Sequence, residues 1–152
     1  MRIEKISFEV IQDFWSKHLW PGRQSPIEPV ACINSMGDID LTVRRFDPLF
    51  YGAFKESHLV GVVSFSLTSS SEARMRGICV LPNHRGKGIS RMLFTRGKEE
   101  VIVTPTVQRL WTMGRLINLD YYTKLGFVLG IETSAYEFGP HNIMFFNIKR
   151  NS

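Results

Sequence analysis

The segment PNHRGKGIS, residues 82 to 90, is the feature that most limits how this chain can fold. It follows an apolar run from Ala73 to Leu81 that predicts a strand, and apolar residues recur at helical spacing from Ile89 onward. A further run, Val107 to Met113, predicts another strand. Strand, helix and strand in this order form a crossover unit, so part of the sheet should be parallel.

The same segment combines two glycines with concentrated positive charge. Gly86 and Gly88 cost backbone entropy, so local geometry must require them. The first amides of a helix lack partners within the helix and lie at the positive end of its dipole. Glycines let an anion approach these amides, while Arg85 and Lys87 add charge and Ser90 offers a hydroxyl. The segment predicts a phosphate site, although a solvated turn would have a similar composition.

The composition is typical of one globular domain. The chain has 152 residues, 43% hydrophobic and 22% charged, and we expect residues 1–152 to form a single domain. No apolar run reaches the roughly 18 to 20 residues of a membrane span, and the first residues lack a signal-peptide block. We therefore expect a cytoplasmic protein without membrane contact. Cys32 and Cys79 lie in apolar surroundings at no metal or redox spacing, which predicts two buried thiols.

The net charge of +5 is concentrated beside the glycine-rich segment. Five cations and no acidic residue lie between residues 84 and 98: Arg85, Lys87, Arg91, Arg96 and Lys98. A nucleic-acid binder more often spreads its cations along an extended face. The distribution favours a compact anionic ligand, and we do not expect nucleic acid as a partner.

The remaining pattern predicts an α/β (α+β) fold with a mostly antiparallel sheet. Further strands are predicted at residues 2–6, 50–55, 59–67, 127–136 and 143–148, and helices at 8–18 and 116–124. Residues 20–38 carry prolines and glycines and predict a loop with at most one short helical piece. Short turns between residues 50 and 81 imply an antiparallel meander. The sheet should have about six to seven strands flanked by helices.

Two segments resemble motifs of the GNAT superfamily of N-acetyltransferases. The run MRGICVLPNHRGKGISRMLF looks like the acetyl-CoA signature [QR]-x-x-G-x-[GA], with Ser90 in place of the usual Gly or Ala. The run INLDYYTKLGFV is similar to the later motif, in which an aromatic residue and a tyrosine precede Gly126 and Phe127. The resemblance covers residues 50–127, and it implies a single-domain GNAT-like sheet with a parallel strand pair splayed at the cofactor site.

The resemblance implies direct transfer of an acetyl group from acetyl-CoA, as co-substrate, to a small-molecule or peptide amine. Tyr122 matches the general acid that protonates the CoA thiolate, and Tyr121 takes a packing position. Backbone groups at the end of the preceding strand would meet the pantetheine arm and the developing oxyanion: Ile78, Cys79 and Val80. The residues implied to hold the diphosphate are Arg85, Gly86, Lys87, Gly88, Ile89 and Ser90.

Several assignments have two interpretations. Tyr122 could instead be a packed core aromatic with a satisfied hydroxyl. Glu72 is the nearest acidic candidate for a general base, but it could be a solvated turn residue, with a water chain as the base. Asn118 stands where the family usually has Ala; its amide could bond the pantetheine arm or only adjust helix packing.

The resemblance does not identify the acceptor. In this family the N-terminal part shapes the acceptor pocket, and here the first 48 residues match only in their strand and helix pattern. Phe14, Trp15 and Trp20 could line that pocket or belong to the core. A CoA-binding module without turnover is a second hypothesis and a nucleic-acid binder a third. A homodimer is left open.

Overall fold

A mixed sheet of seven strands organises the residues that this computed structural model describes, 1–133 and 138–150. The strands are Arg2–Lys5 (β1), Leu49–Lys55 (β2), His58–Leu67 (β3), Glu72–Val80 (β4), Arg109–Arg115 (β5), Val128–Thr133 (β6) and His141–Asn147 (β7). Their order in the sheet is β1-β2-β3-β4-β5-β7-β6, and neighbouring strands are antiparallel except β4 and β5, which run parallel. This confirms the predicted fold class.

Helices cover both faces of the sheet. They are Phe8–His18 (α1), Ile89–Val101 (α2) and Leu119–Thr123 (α3), with 3-10 turns at Leu41–Arg45, Pro82–His84 and Leu116–Asn118. The helix predicted over residues 116–124 is therefore divided into a 3-10 turn and a short α-helix. The division falls at Asn118, whose backbone (φ −116°, ψ 12°) is not helical. Asparagine favours such boundary positions because its side chain competes for backbone hydrogen bonds.

Each face has its own hydrophobic cluster. On one face, Ile11 and Trp15 of α1 pack with Val62 and Cys79. On the other face, α2 packs against the centre of the sheet through a larger set of buried residues, which includes Phe65, Met75, Leu93, Phe94 and Leu110. Cys79 is buried as predicted, whereas Cys32 is only half-buried, and both are free thiols.

Two predicted segments differ from the structure in detail. Residues 20–38 form the predicted loop, and the helical piece lies just beyond it at Leu41–Arg45. The strand predicted over residues 127–136 is observed as Val128–Thr133, and residues 134–136 lie outside the described ranges. In the described part of the chain, no helix combines the length and the hydrophobicity that crossing a bilayer requires.

Candidate active site

The parallel strands β4 and β5 separate partway along their length. Their pairing begins at Glu72 with Arg109 and ends at Met75 with Thr112, although β4 continues to Val80 and β5 to Arg115. Backbone groups of the later residues of β4 are therefore not paired with β5. A gap opens between the carboxyl ends of two parallel strands, which is a common position for ligand sites in α/β sheets.

A β-bulge at Gly77 accompanies this separation. The register of β3 against β4 shifts between Val62 and Ser64, and Gly77 has a φ of +69° that favours glycine. Trp15 lies against this glycine and its indole Nε1 donates to the Gly77 carbonyl at 2.8 Å. A Cβ on residue 77 would collide with the Trp15 ring. The helix α1 thus holds the bulge from one face.

The first cavity lies at the start of α2 and has a volume of about 280 Å³. Gly86 and Gly88 have φ values of +75° and +78°, and a Cβ on either would meet no atom within 4 Å. Gly88 is the N-cap of α2, and no side chain caps that helix end. The lining combines this loop with α2 and α3: Val80, His84, Arg85, Gly86, Gly88, Ile89, Ser90, Arg91, Tyr121, Lys124 and Leu125.

The end of β4 contributes backbone groups beside this first cavity. Leu81 N–H donates to Val60 of β3, so Leu81 is hydrogen-bonded across the strand pair. Because hydrogen bonding alternates along an antiparallel pair, the preceding residue, Val80, directs its backbone groups away from β3. The Val80 carbonyl accepts from Arg85 Nε at 3.0 Å, in agreement with that direction.

The second cavity lies on the α1 side of the gap and has a volume of about 240 Å³. Four arginines, one histidine, Tyr122 and several aromatic and aliphatic residues line it, and no carboxylate is among the described residues of its wall. The lining comes from separate segments of the chain: Leu19, Trp20, Arg23, Ser25, Ala31, Ile33, Arg74, Met75, Arg76, Gly77, Met113, Arg115, Asn118, Tyr122, Phe138 and His141.

Two adjacent tyrosines of α3 separate these cavities. Tyr121 lines the first cavity and Tyr122 the second, and their rings meet edge to face with centroids 5.5 Å apart. The Tyr121 hydroxyl forms a short hydrogen bond with Ser90 Oγ. Tyr122 packs on Gly114 of β5, where a Cβ would lie 2.7 Å from the Tyr122 ring. Burial raises the pKa of Tyr122 to about 12, so its hydroxyl stays protonated at neutral pH.

The structure gathers most of the predicted cofactor residues into one place. Six of them line the first cavity, and Lys87 is exposed between the two loop glycines. Ile78 and Cys79 are buried in β4, where burial raises the pKa of the Cys79 thiol. Asn118 lines the second cavity and not the first. His84 is half-buried and also lines the first cavity.

Glu72, the predicted candidate for a general base, lies apart from Tyr122. Its carboxylate forms a short salt bridge with Arg109 and accepts from Ser35 Oγ at 2.8 Å. It sits at the amino end of β4, where β4 and β5 are still paired, and it does not line the cavity that Tyr122 lines. These contacts tie the start of β4 to β5 and to the loop before it.

Sequence reasoning did not identify the charged residues of the second cavity as site residues. Arg74 and Arg76 alternate with Ala73 and Met75 in β4, and this polar alternation in an otherwise apolar strand was the available signal. Arg115 and His141 gave no comparable signal, because they reach the cavity only through the pairing of β5 with β7, in which they are register partners.

Known proteins resemble this chain in sequence pattern and in fold. The sequence model of the acetyltransferase (GNAT) family matches residues 9–127. A search of curated protein sequences gives no significant match. An aminoglycoside 6'-N-acetyltransferase complexed with coenzyme A has a similar structure, with a TM-score of 0.70, 15% identity and 100% of each chain covered.

Two further solved structures are similar over nearly the whole chain. The IAA acetyltransferase from Bacillus cereus has a TM-score of 0.70 at 18% identity and covers 97% of this chain and 99% of its own. Ard1 from Thermoplasma volcanium has a TM-score of 0.69 at 16% identity and covers 98% of both chains. At these identities the likeness concerns the fold, whereas the family model spans more than half of the sequence. The chain therefore belongs to the GNAT family of acetyltransferases.

Proposed function

We propose that this protein transfers an acetyl group from acetyl-CoA directly to the nitrogen of an amine, and that residues 1–152 form a single acetyltransferase domain. The observation that carries the proposal is the position of Tyr121 and Tyr122. These adjacent residues line two different cavities beside the gap between β4 and β5. Two substrates that enter from opposite sides can meet at Tyr122, so no covalent enzyme intermediate is needed.

The first cavity suits the diphosphate of coenzyme A. The loop glycines leave open space above their backbone, and the first amides of α2 have no side-chain cap. These features, with the positive end of the helix dipole, match what a diphosphate requires. Arg85 and Lys87 would add charge from the exposed side of the loop. Ser90 would contribute mainly its amide, because its hydroxyl already bonds Tyr121.

The end of β4 would bind the rest of the cofactor. Val80 directs its amide toward the gap, where it can donate to the pantetheine arm or to the oxygen of the reacting carbonyl. Ile78 and Cys79 precede Val80 in β4 and are buried. Asn118 lies at the second cavity, so we assign its amide to the region where the two substrates meet. When bound, acetyl-CoA supplies an acetyl group activated as a thioester.

Tyr122 is proposed as the general acid. The amine nitrogen forms the new C–N bond to the acetyl carbon, the C–S bond breaks, and the Tyr122 hydroxyl gives its proton to the sulfur. Because burial raises the pKa of Tyr122 to about 12, the donor is protonated across the physiological range. The attacking nitrogen loses one proton as the amide forms, and this proton restores the phenol through solvent. The net products are an acetamide and free CoA.

His141 is proposed to accept the proton of the incoming ammonium group. In the described wall of the second cavity it is the side chain whose ordinary pKa lies nearest neutrality. Burial lowers that pKa further, so the ring is neutral and can take up a proton at physiological pH. Its Nδ1 lies 2.8 Å from the Gly139 carbonyl; if Nδ1 carries the proton, Nε2 is the basic nitrogen.

The proposal is tested by measuring free thiol released from acetyl-CoA with a panel of amines, beside calorimetric titration with acetyl-CoA alone. An active enzyme gives saturable binding and amine-dependent thiol release. Saturable binding with no release for any amine would indicate a CoA-binding module without turnover. Absence of binding would remove the proposal altogether. Salt-sensitive binding of DNA or RNA that persists in the presence of acetyl-CoA would support the nucleic-acid alternative.

A further inference from the structure

The second cavity has a strongly positive wall. Arg23, Arg74, Arg76 and Arg115 line it, and Arg76 is only 7% exposed. Arginine is rarely buried to this degree without an anionic partner, because removing its charge from water is costly. The described wall supplies no carboxylate to offset that cost. The cavity should therefore favour a ligand that carries negative charge.

Arg76 is held in place by a backbone carbonyl and two aromatic rings, and the charge of Glu28 offsets its burial only in part. One N–H of its guanidinium donates to the Glu28 carbonyl at 2.7 Å, and the group stacks over the rings of Trp15 and Trp20 at 4.9 and 5.4 Å. Burial, followed by the charges of Arg74 and Arg23, lowers the pKa of Arg76 to about 9. It is still charged at neutral pH, and a bound anion would relieve the unfavourable surroundings.

Arg115 approaches the same cavity from β5. One N–H donates to the Leu19 carbonyl at 2.9 Å, and the guanidinium stacks over the Phe138 ring at 4.6 Å. The salt bridges of the described residues do not include Arg76 or Arg115. Each guanidinium has five N–H donors, and the hydrogen bonds of these two arginines use one donor each. Both have donors left for a ligand.

The size of the cavity limits the acceptor further. Its volume of about 240 Å³ is below the roughly 300 to 1,000 Å³ that ligand pockets typically span. It suits a molecule of amino-acid size. A polyamine or an aminoglycoside would bring several ammonium groups beside four guanidinium groups, and like charges in a buried site repel strongly.

We propose that the acceptor is a small amine that also carries an oxyanion, held by Arg76 and Arg115 while its amino group faces Tyr122. This inference rests on the proposed acetyltransferase function and names its substrate class. A carboxylate or a phosphate would satisfy the same guanidinium forks. The solved aminoglycoside 6'-N-acetyltransferase shares the fold, but the charge of this cavity disfavours a polycationic acceptor here.

Matched pairs of amines test the proposal without changing the protein. An amino acid is compared with its carboxamide, and an aminoalkyl phosphate with the corresponding amino alcohol, so that each pair differs in the anion. A polyamine is assayed beside these pairs as a cationic acceptor. We expect kcat/KM from thiol release to favour the anionic member of at least one pair by about 100-fold, since an unfilled buried polar site is costly. The pair with the larger ratio identifies carboxylate or phosphate.

Arginine variants then locate the anion. Arg76→Gln and Arg115→Gln should each reduce the preference for the anionic member about tenfold or more, mainly through a higher KM, whereas Arg76→Lys should retain part of it. Arg45→Gln removes the same charge from an exposed position outside the cavity, and it should leave the preference unchanged. Thermal melts of each variant show whether the fold survives. If one of the two Gln variants does not fold, the other still tests the preference for the anionic amine.

The outcomes separate this inference from the function on which it rests. A preference for the neutral amine or the polyamine, or equal rates within each pair, would overturn the anionic acceptor and leave the acetyltransferase intact. A preference that survives both Arg76→Gln and Arg115→Gln would overturn the assignment of these arginines. Saturable acetyl-CoA binding without thiol release for any amine would remove the proposed function, and the inference would fall with it.

Discussion

The two cavities beside Tyr121 and Tyr122 are built in different ways. The first is formed largely by one continuous segment, residues 80–91, and its chemistry comes from backbone amides and glycine conformations. The second is assembled from the loop after α1, β4, β5 and four residues near or in α3 and β7, namely Asn118, Tyr122, Phe138 and His141, and its chemistry comes from side chains. Under the proposed function, the cofactor is bound by a local backbone motif, whereas the acceptor is selected by side chains that only the fold brings together.

The largest effect is expected in the backbone-built cavity. Gly88→Glu would place an anionic side chain where a diphosphate must approach, and we expect acetyl-CoA affinity to fall at least about 100-fold in calorimetric titration. Gly22→Glu is the matched control, because Gly22 also has a positive φ, +74°, and a Cβ there would likewise meet no atom within 4 Å. Both variants carry similar backbone strain. Unchanged affinity in Gly88→Glu would contradict the assignment of the first cavity.

Tyr122→Phe tests the junction between the cavities. Loss of the proton donor should lower kcat about 100-fold while acetyl-CoA still binds, since general acids typically contribute factors of that order. In the native enzyme, Tyr122 should stay protonated until the pH approaches its raised pKa of about 12. Its ionisation should therefore not lower the rate below that pH. Tyr121→Phe is the neighbouring control. Equal thiol release by the native protein and Tyr122→Phe would exclude Tyr122 from the mechanism.

His141→Gln tests the side-chain-built cavity. We expect kcat/KM to fall about tenfold near pH 7, where the acceptor is an ammonium ion that must lose a proton. Burial lowers the pKa of His141, so the native ring stays neutral through its ordinary titration range, and activity should be lost only as the pH falls through the lowered pKa. The deficit should shrink toward pH 10, where the amine is already deprotonated. A deficit that is constant with pH would indicate a structural role for this histidine.

The smallest effect is expected outside both cavities. Glu72→Gln weakens the salt bridge with Arg109 and the hydrogen bond from Ser35, and we expect the free energy of unfolding to fall by about 1 kcal/mol. Because Glu72 lies away from Tyr122, kcat should change by less than about twofold. Chemical denaturation and thiol release measure the two quantities. A large loss of kcat at unchanged stability would restore Glu72 as a candidate base.

The difference between the cavities also explains what the sequence alone could predict. The strand, loop and helix around Gly86 and Gly88 are encoded by neighbouring residues, so the glycine-rich loop and the crossover unit could be predicted from the sequence, and phosphate binding at the loop stays a prediction. The helix predicted over residues 116–124 is too long because the backbone of Asn118 is not helical, and the apolar spacing of the sequence does not show that break. Arg115 and His141 belong to strands that pair only in the folded chain, so no spacing in the sequence relates them.

The bulge at Gly77 has a consequence for the evolution and redesign of this strand. Before it, Arg74 and Arg76 face α1, and after it Ile78 and Val80 face α2, although a regular strand would place all four on the same side. Deleting residue 77 would keep these faces, whereas keeping residue 77 in a regular strand without the bulge would bring Ile78 and Val80 toward the arginines and Cys79 beneath α2. A side chain at residue 77 that cannot adopt the positive φ would therefore damage the core and both cavities together, so glycine should be more tightly constrained at this position than most residues around it.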